Sequence, residues 1–410
     1  MTNFILHRLI QAGFDAHLVG GCVRDTLLKR PVTDWDIATS AMPADVGRLF
    51  DKTVKTGVRF GTITVIHHGA PVEVTTYRRD GIYRDHRHPE RVTFGASLEE
   101  DLLRRDFTIN AMAMTESGEI IDPTGGVTDL AHGIIRAVGN AETRFTEDAL
   151  RMFRALRFKA QLGFMIAPET WQAILKHAHT ARAISPERIA AELTKMLMSD
   201  NPGTVWEIID AELLVAYGLP CSGAQCSPAM CDEPTVNRHD CANECIRGNG
   251  QPRANGRALC AATDILSDLP KEHDLRWGVF CVLVSDGAMA KKLRLPAKTQ
   301  KVCETAMQIT QARFPQTRAE IKYLLSKYTP DAVKSAAAVV GALQSVEAIL
   351  QSGECYTIKN LAISGQDLIE TGISEGPEIG DIMQKLLDYV IDHPQENERV
   401  KLLQVLKTLQ

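Results

Sequence analysis

Near residue 141 the chain changes its hydrophobic period, and that change limits what it can fold into. Before it, short apolar runs alternate with helical stretches. AHLVGGCV and WDIATS read as strands, ADVGRLFD as a helix, and GTITVIHH and PVEVTTYR as a hairpin across the turn HGA. A helix led by SLEEDLLRRDFTINAMAM and a β-like EIIDPTGGVTDL follow. After it, AETRFTEDALRMFRALRFKAQLGF, PETWQAILKHA and SPERIAAELTKMLMSD keep helical spacing behind Pro or Ser start signals, with Ser185 as N-cap and Pro186 at the first helical position. A small mixed sheet with helices on one side, followed by helices alone, is an α+β arrangement. The expected division is a sheet-bearing head (1–140), a helical neck (141–200), a helical body (201–305) and a helical tail (306–410).

Composition narrows the class. The 410 residues exceed one small domain. A net charge of −5 argues against a surface that is basic throughout, but not against a local basic groove. The most basic stretch, AKKLRLPAKTQK (290–301) with Lys291, Lys292, Arg294, Lys298 and Lys301, reads as a solvated helix end or as a phosphate contact. No apolar run approaches the roughly 20 residues of a membrane span, and no cleavage pattern follows the amphipathic N-terminus. Cys22, Cys281, Cys303 and Cys355 read as small core hydrophobes, so a reducing cytoplasm is expected. Residues 221–260 hold six of the ten cysteines among many Gly, Pro and Asn residues. Cys241 and Cys245 lie four apart with His239 nearby, but the Cys221–Cys226–Cys231 spacing fits no common zinc module, so a loop insertion is the preferred reading.

The chemistry concentrates in HLVGGCVRDTLLKRPVTDWDIATSAMP (17–43). Gly20 and Gly21 mark a strand-to-helix turn whose bare N–H groups can approach phosphate oxygens, and Arg24 can add a charge-assisted contact. Asp34 and Asp36, two apart on a strand, would share a face and repel each other. A hard cation such as Mg²⁺ relieves that repulsion and brings phosphates with it; the bland alternative is a tight turn with exposed strand-end carboxylates. Glu73 is a candidate third carboxylate, or simply a paired strand-face residue. Arg104, Arg105 and Asp106 form either a surface salt-bridge cluster or part of a cationic site.

The helix EDALRMFRALRF can be placed on a wheel at about 100° per residue. With Asp148 at zero, Arg157, Arg154 and Arg151 fall near about 180°, 240° and 300°, opposite an apolar face of Ala149, Met152, Phe153 and Leu156. Such an arginine ridge needs an anionic or hydrogen-bonding partner. Cytosine and adenine share an amino donor beside a ring-nitrogen acceptor, so an aspartate and an arginine, Asp148 and Arg151, could read both.

GGCVRD followed by DWDIATSAMP, then LLRRDFTINAMAM and RFTEDALRMFRALRF, run in order over residues 17 to about 160. Together they resemble the polymerase β-like nucleotidyltransferase superfamily, and within it the class II tRNA nucleotidyltransferases (CCA-adding enzymes) and the related bacterial poly(A) polymerases. The resemblance implies a nucleotidyltransferase head followed by helical neck, body and tail. It implies template-independent addition of CCA to the tRNA 3′ end from CTP and ATP, with pyrophosphate released. Asp34 and Asp36 would be catalytic and hold Mg²⁺. Gly21, Arg24, Arg105, Asp148, Arg151, Arg154 and Arg157 would bind the nucleotide, with Asp106 orienting Arg105. The charged segment 77–95 would be the loop that switches the pocket from C to A, and body and tail would hold tRNA. A poly(A) polymerase is the nearest rival, but the terminal DHPQENERVKLLQVLKTLQ has mixed charge rather than a strongly basic tail. A partial CC- or A-adding enzyme and an inactive RNA-binding protein are further alternatives. The pairs His239–Asp240 and His273–Asp274 lack further ligands at convincing positions, so a phosphohydrolase activity is not expected. A homodimer is left open.

Overall fold

The computed structural model describes residues 2–55, 57–81, 92–218 and 262–409. The cysteine-rich segment 221–260 lies outside them, as do 82–91 of the charged segment 77–95. The chain divides into two compact units, Met1–Ser222 and Gly223–Gln410.

The first unit carries nine strands relevant to the site: β1 (Ala16–Val19), β2 (Asp36–Thr39), β3 (Thr53–Val54), β4 (Thr62–His67), β5 (Ala70–Thr76), β6 (Arg78–Asp80), β7 (Val92–Phe94), β8 (Ala113–Met114) and β9 (Ile120–Ile121). Seven of them form one mixed sheet in the order β3-β4-β5-β2-β1-β8-β9, and β6 pairs with β7 apart from it. β2 and β5 run parallel at its centre, whereas β4 and β5 form the antiparallel hairpin expected across the turn HGA.

Helices α1 (Thr2–Gln11), α2 (Gly21–Leu27) and α3 (Pro43–Leu49) accompany the first strands. α3 lies over the face of Ile63, since a Cβ at Gly47 would stand 3.9 Å from its Cδ1. Ile63 pairs with Val74, and Val74 with Ile37, so this face is a continuous apolar layer. On the opposite face, Val19, Ala38 and Ala113 pack against Leu102 of α4 (Leu98–Leu103), whose first turn is closed by a Ser97–Glu100 capping box.

The charged stretch 77–95, expected as a loop, holds β6 and β7 at its described ends, and two further segments of the head differ from the sequence expectation. The helix expected over SLEEDLLRRDFTINAMAM stops at Leu103; a short 3₁₀ turn, Thr108–Asn110, and then β8 follow. The Asp106 carboxylate accepts the Phe107 N–H, a local bond that competes with helix continuation. The β-like stretch ends at Ile121, and helix α5 (Gly126–His132) occupies GGVTDL. Its first N–H groups, on Gly126 and Val127, are taken by the Asp122 carboxylate at 2.8 and 2.9 Å.

The neck begins with α6 (Ala141–Glu147) and α7 (Leu150–Leu162), whereas the wheel ran the second helix from Asp148. Asp148 interrupts them with an extended backbone, φ −140° and ψ 104°, and its carboxylate accepts the Leu150 N–H at 3.1 Å. Met152, Phe153 and Leu156 of α7 are buried, as expected of the apolar face. α8 (Pro168–His177) follows, then α9 (Pro186–Leu197), which packs along α7. α9 starts at Pro186 after Ser185, although the Ser185 side chain makes no capping bond.

The second unit is helical throughout its described residues. Helix His273–Leu283 packs on Pro330–Val339 so closely that a Cβ at Gly278 would stand 2.3 Å from Ser335 Oγ. Further along, Lys322 is almost fully buried, donating to the Ile391 carbonyl at 3.2 Å and pairing with Glu354 at 2.9 Å. Cys22, Cys281, Cys303 and Cys355 are buried free thiols. No helix among the described residues is long and apolar enough to cross a membrane.

The approach of α5 to the 108–110 turn offers a test of this architecture. A Cβ at Gly126 would meet the Thr108 carbonyl oxygen at 2.2 Å. Gly126→Ala must therefore push α5 away from the turn, and an overpacking cost of about 1–3 kcal/mol is expected in urea unfolding. An unchanged midpoint would show that the contact is slack.

Candidate active site

β1 delivers the chain to Gly20, whose φ of +77° suits glycine, and α2 begins at Gly21. The missing side chain matters more than the dihedral. A Cβ there would lie 2.9 Å from Arg105 Nη1, 3.8 Å from Asp36 Oδ2 and 3.9 Å from the Asn110 carbonyl oxygen. Three separate segments thus converge on the glycine backbone. Gly21 is roomier, with Arg24 Nη2 3.7 Å from its hypothetical Cβ. Arg24 is largely buried and donates to Asn110 Oδ1 at 2.8 Å and to both Asp25 oxygens at 2.9 Å.

β2 begins at Asp36 itself, so the two aspartates do not share a strand. Asp34 precedes it and is exposed. The neighbour that shares Asp36's strand face is Glu73, its register partner on β5. Burial first, and then the charge of Glu73, push the Asp36 carboxyl up to about 6; Arg105 opposes the shift and Asp34 adds to it. The site thus holds more negative charge than its own cation balances. Among the described residues no group of three His, Cys, Asp or Glu side chains is placed to hold a metal ion. Asp36 and Glu73, paired in register, offer carboxylate oxygens, the donor type that a hard cation takes together with phosphate and water, and Asp34 lies before the strand.

Arg105 is oriented by Asp101, not by Asp106. The buried Asp101 accepts from Arg105 at 3.1 Å and from Arg104 at 2.7 and 3.0 Å. Burial opposes its charge, yet Arg104 and Arg105 hold its carboxyl below the usual range. Arg105 Nε is buried with no hydrogen-bond partner among the described residues, an unmatched donor beside the carboxylates.

The three arginines of α7 each meet a carboxylate from a different element. Arg151 pairs with Glu147 and donates to the carbonyls of Arg144 at 2.9 Å and Arg104 at 3.3 Å. Arg154 Nε donates to Asp106 at 2.7 Å. Asp106 is buried, which would raise its pKa, but Arg154 holds it down to about 2. Arg157 pairs with the buried Glu192 of α9 at 3.2 Å; burial first, then Arg154, push its guanidinium down to about 10. The ridge expected to await a ligand is therefore answered largely from within. The Phe158 ring lies among Arg24, Arg154 and Arg157 at 5.1, 5.4 and 4.2 Å, and meets Phe107 edge-on at 5.7 Å.

Asp148 sits off the α7 wheel and has a partner that the sequence reading missed. Arg188 Nη2 and Nη1 donate to its Oδ2 and Oδ1 at 2.8 and 3.3 Å. The only sequence signal was an arginine in the first turn of a helix behind Ser-Pro, which indicates nothing about its partner.

A glycine turn, strand carboxylates paired in register and an arginine beside the glycine and Asp36 place this head in the nucleotidyltransferase class. The poly A polymerase head domain profile matches residues 16–136, and that of tRNA nucleotidyltransferase domain 2 matches residues 270–406. The profile described as "Probable RNA and SrmB- binding site of polymerase A" matches 163–222. The chain belongs to the CCA-adding enzyme family. The CCA-adding enzyme of Lactobacillus delbrueckii subsp. bulgaricus is 35% identical over 413 residues, covering 98% of this chain and 96% of that one. That of Anoxybacillus flavithermus is 36% identical over 406 residues, covering 97% and 94%. The crystal structure of the Bacillus stearothermophilus CCA-adding enzyme in complex with CTP superposes with a TM-score of 0.73 at 31% identity, over 99% of this chain and 97% of that chain.

The raised Asp36 pKa sets a pH dependence. Between its ordinary value of 3.8 and its folded value of about 6, the native state binds more protons than the unfolded chain. The contribution of Asp36 to stability therefore falls as pH rises through that window. Asp36→Asn cannot titrate. In chelator, the unfolding free energy of the wild type should gain on that of Asp36→Asn as pH is lowered from 7 to 4. A difference that stays constant in urea titrations would contradict the crowding of charge described here.

Proposed function

We propose that this protein adds CCA to the 3′ end of tRNA without a nucleic-acid template, from CTP and ATP, releasing pyrophosphate. The observation that carries this reading is the convergence of Asp36, Arg105 and the Gly20 turn, with Glu73 as Asp36's register partner. It is supported by the ties between head and neck, Arg151 to the Arg104 carbonyl and Arg154 to Asp106. They bring the start of α7, next to Asp148, toward the Arg105 segment.

Asp34 and Asp36 are the catalytic carboxylates and hold Mg²⁺, with Glu73 as the adjacent third. Mg²⁺ bound there supplies Lewis acidity toward the tRNA terminal hydroxyl and neutralises triphosphate charge. The Gly21 backbone, Arg24 and Arg105 bind the triphosphate. The tRNA 3′ hydroxyl gives its proton to water as its oxygen bonds to the α-phosphorus, the bond from that phosphorus to the bridging oxygen breaks, and pyrophosphate leaves with the charge favoured by fixed positive groups. Asp148 accepts from the amino group of cytosine or adenine and Arg151 donates to the ring nitrogen beside it; Arg154 and Arg157 hold α7 in place. Residues 1–140 act as the catalytic head, 141–200 as the base-reading neck, and the body (201–305) and tail (306–410) hold tRNA by shape and backbone. With tRNA as substrate, the cytoplasm is the place of action.

The test is incubation with tRNA lacking its last three nucleotides and each labelled NTP, resolved on denaturing gels. Growth should stop after C, C and A. Continued growth with ATP would mean a poly(A) polymerase, early arrest a partial enzyme, and no growth an inactive RNA-binding protein. Asp34→Ala and Asp36→Ala should each lose incorporation of both nucleotides by about 10³-fold or more, several kcal/mol of transition-state stabilisation. Asp148→Ala should retain CMP addition while discriminating less against UTP.

A further inference from the structure

Asp148 must accept a hydrogen bond from a base in a fixed direction if it is to select cytosine and adenine, and a carboxylate on a free side chain cannot fix one. Its rotation about Cβ–Cγ would present either oxygen, or a bridging water, to whatever base arrived. Here Asp148 lies between two helices with both oxygens engaged. Oδ1 accepts from the Leu150 N–H at 3.1 Å and from Arg188 Nη1 at 3.3 Å. Oδ2 accepts from Arg188 Nη2 at 2.8 Å. Each carboxylate oxygen offers two lone pairs, so among the described residues Oδ1 is saturated and Oδ2 keeps one acceptor position.

We infer that Arg188 is a positioning residue for base selection, holding Asp148 so that a single lone pair of Oδ2 faces the incoming base. The inference rests on the reading of Asp148 given above. An amino group can donate to that lone pair, as cytosine and adenine do. The carbonyl that uracil or guanine carries in its place would set acceptor against acceptor, with no rotation available to relieve it.

Arg188 is built for the task. It lies in the first turn of α9, whose Ile189, Ala190 and Leu193 are buried, so the guanidinium projects from a rigid element. The fork contact fixes the plane of the carboxylate as well as its charge. A lysine would supply charge alone. The pair is only partly exposed, with side-chain exposures of 24% for Arg188 and 17% for Asp148, so water competes weakly for the fork.

The test is the ratio of kcat/KM for CTP over UTP on tRNA lacking CCA, measured for the wild type, Arg188→Ala, Arg188→Gln and Arg188→Lys. A merely structural role would lower both nucleotides together and leave the ratio alone. The expected result is a ratio reduced by about 10- to 100-fold in Arg188→Ala and Arg188→Gln, with a smaller loss for CTP itself, mainly in KM. Arg188→Lys should restore CTP turnover more than it restores the ratio. Combined with Asp148→Ala, Arg188→Ala should lower the ratio less than twofold further, because the held acceptor is already gone. Circular dichroism identifies variants that do not fold, and Arg188→Gln carries the measurement if Arg188→Ala is among them. A folded Arg188→Ala or Arg188→Gln with the wild-type ratio overturns the inference, as does full additivity with Asp148→Ala. If the wild type adds no CMP at all, the proposed function fails instead, and that outcome is distinct from either.

Discussion

A methyl group at residue 20 would stand 2.9 Å from Arg105 Nη1 and 3.8 Å from Asp36 Oδ2, and the active-site head is organised around its absence. The Gly20 N–H reaches the Met112 carbonyl at 3.3 Å, so the turn is also stitched to the segment entering β8. Once the backbone is that close, Asp36 has a cation in range on one side and Glu73 on the other. Burial first, and then Glu73, push the Asp36 carboxyl up to about 6, and Arg105 offsets only part of that. A site that leaves negative charge unbalanced is poised for a cation brought with substrate, and the same imbalance weighs on stability until one arrives.

The neck solves a different problem. Three arginines on one helix repel one another unless each is neutralised, and the fold neutralises each from a different place: α6, the 104–106 segment and α9. Replacing such pairs with apolar residues is often neutral or stabilising in other proteins, so they are weak as sources of stability. Their directional value is greater. Arg154 fixes α7 to Asp106, and Asp106 also accepts from Asn110, which in turn accepts from Arg24 of the glycine-turn helix. A polar chain therefore runs from α7 to the glycine-turn helix, with Phe158 packed against the arginines at both ends.

Much of this fold was legible because it depends on local pattern. The β4–β5 hairpin, the glycine turn before α2 and the buried stripe Met152, Phe153 and Leu156 all follow from period and turn residues. What escaped were breaks made by side chains bonding to nearby backbone. Asp106 to Phe107, Asp122 to Gly126 and Asp148 to Leu150 each end or begin an element where apolar spacing alone would continue it. Pairings across elements escaped for another reason. A sequence shows which residues are charged but not which meet, so Asp106 could be assigned to its chain neighbour Arg105 when its partner is Arg154, 48 residues away. Asp101, the residue that does orient Arg105, and Arg188 were invisible on the same ground.

The same logic revises the basic stretch 290–301 in the second unit. Counted along the chain it offers five cations, but folding has already paired Lys292 with Asp286 at 2.6 Å. Lys298 bridges Asp274 and Asp331 at 2.7 and 3.1 Å, in the first turns of two helices. Thr299 also donates to Asp274 at 2.7 Å, so that carboxylate is committed to the packing of helix ends. A phosphate approaching this surface competes with those carboxylates for Lys292 and Lys298, and meets less competition at the exposed Lys291 and Lys301. Since affinity for a polyanion scales with the charges newly neutralised, the stretch contributes less than its composition suggests. Recognition of an RNA backbone there has to come from the spacing of a few cations rather than from density of charge.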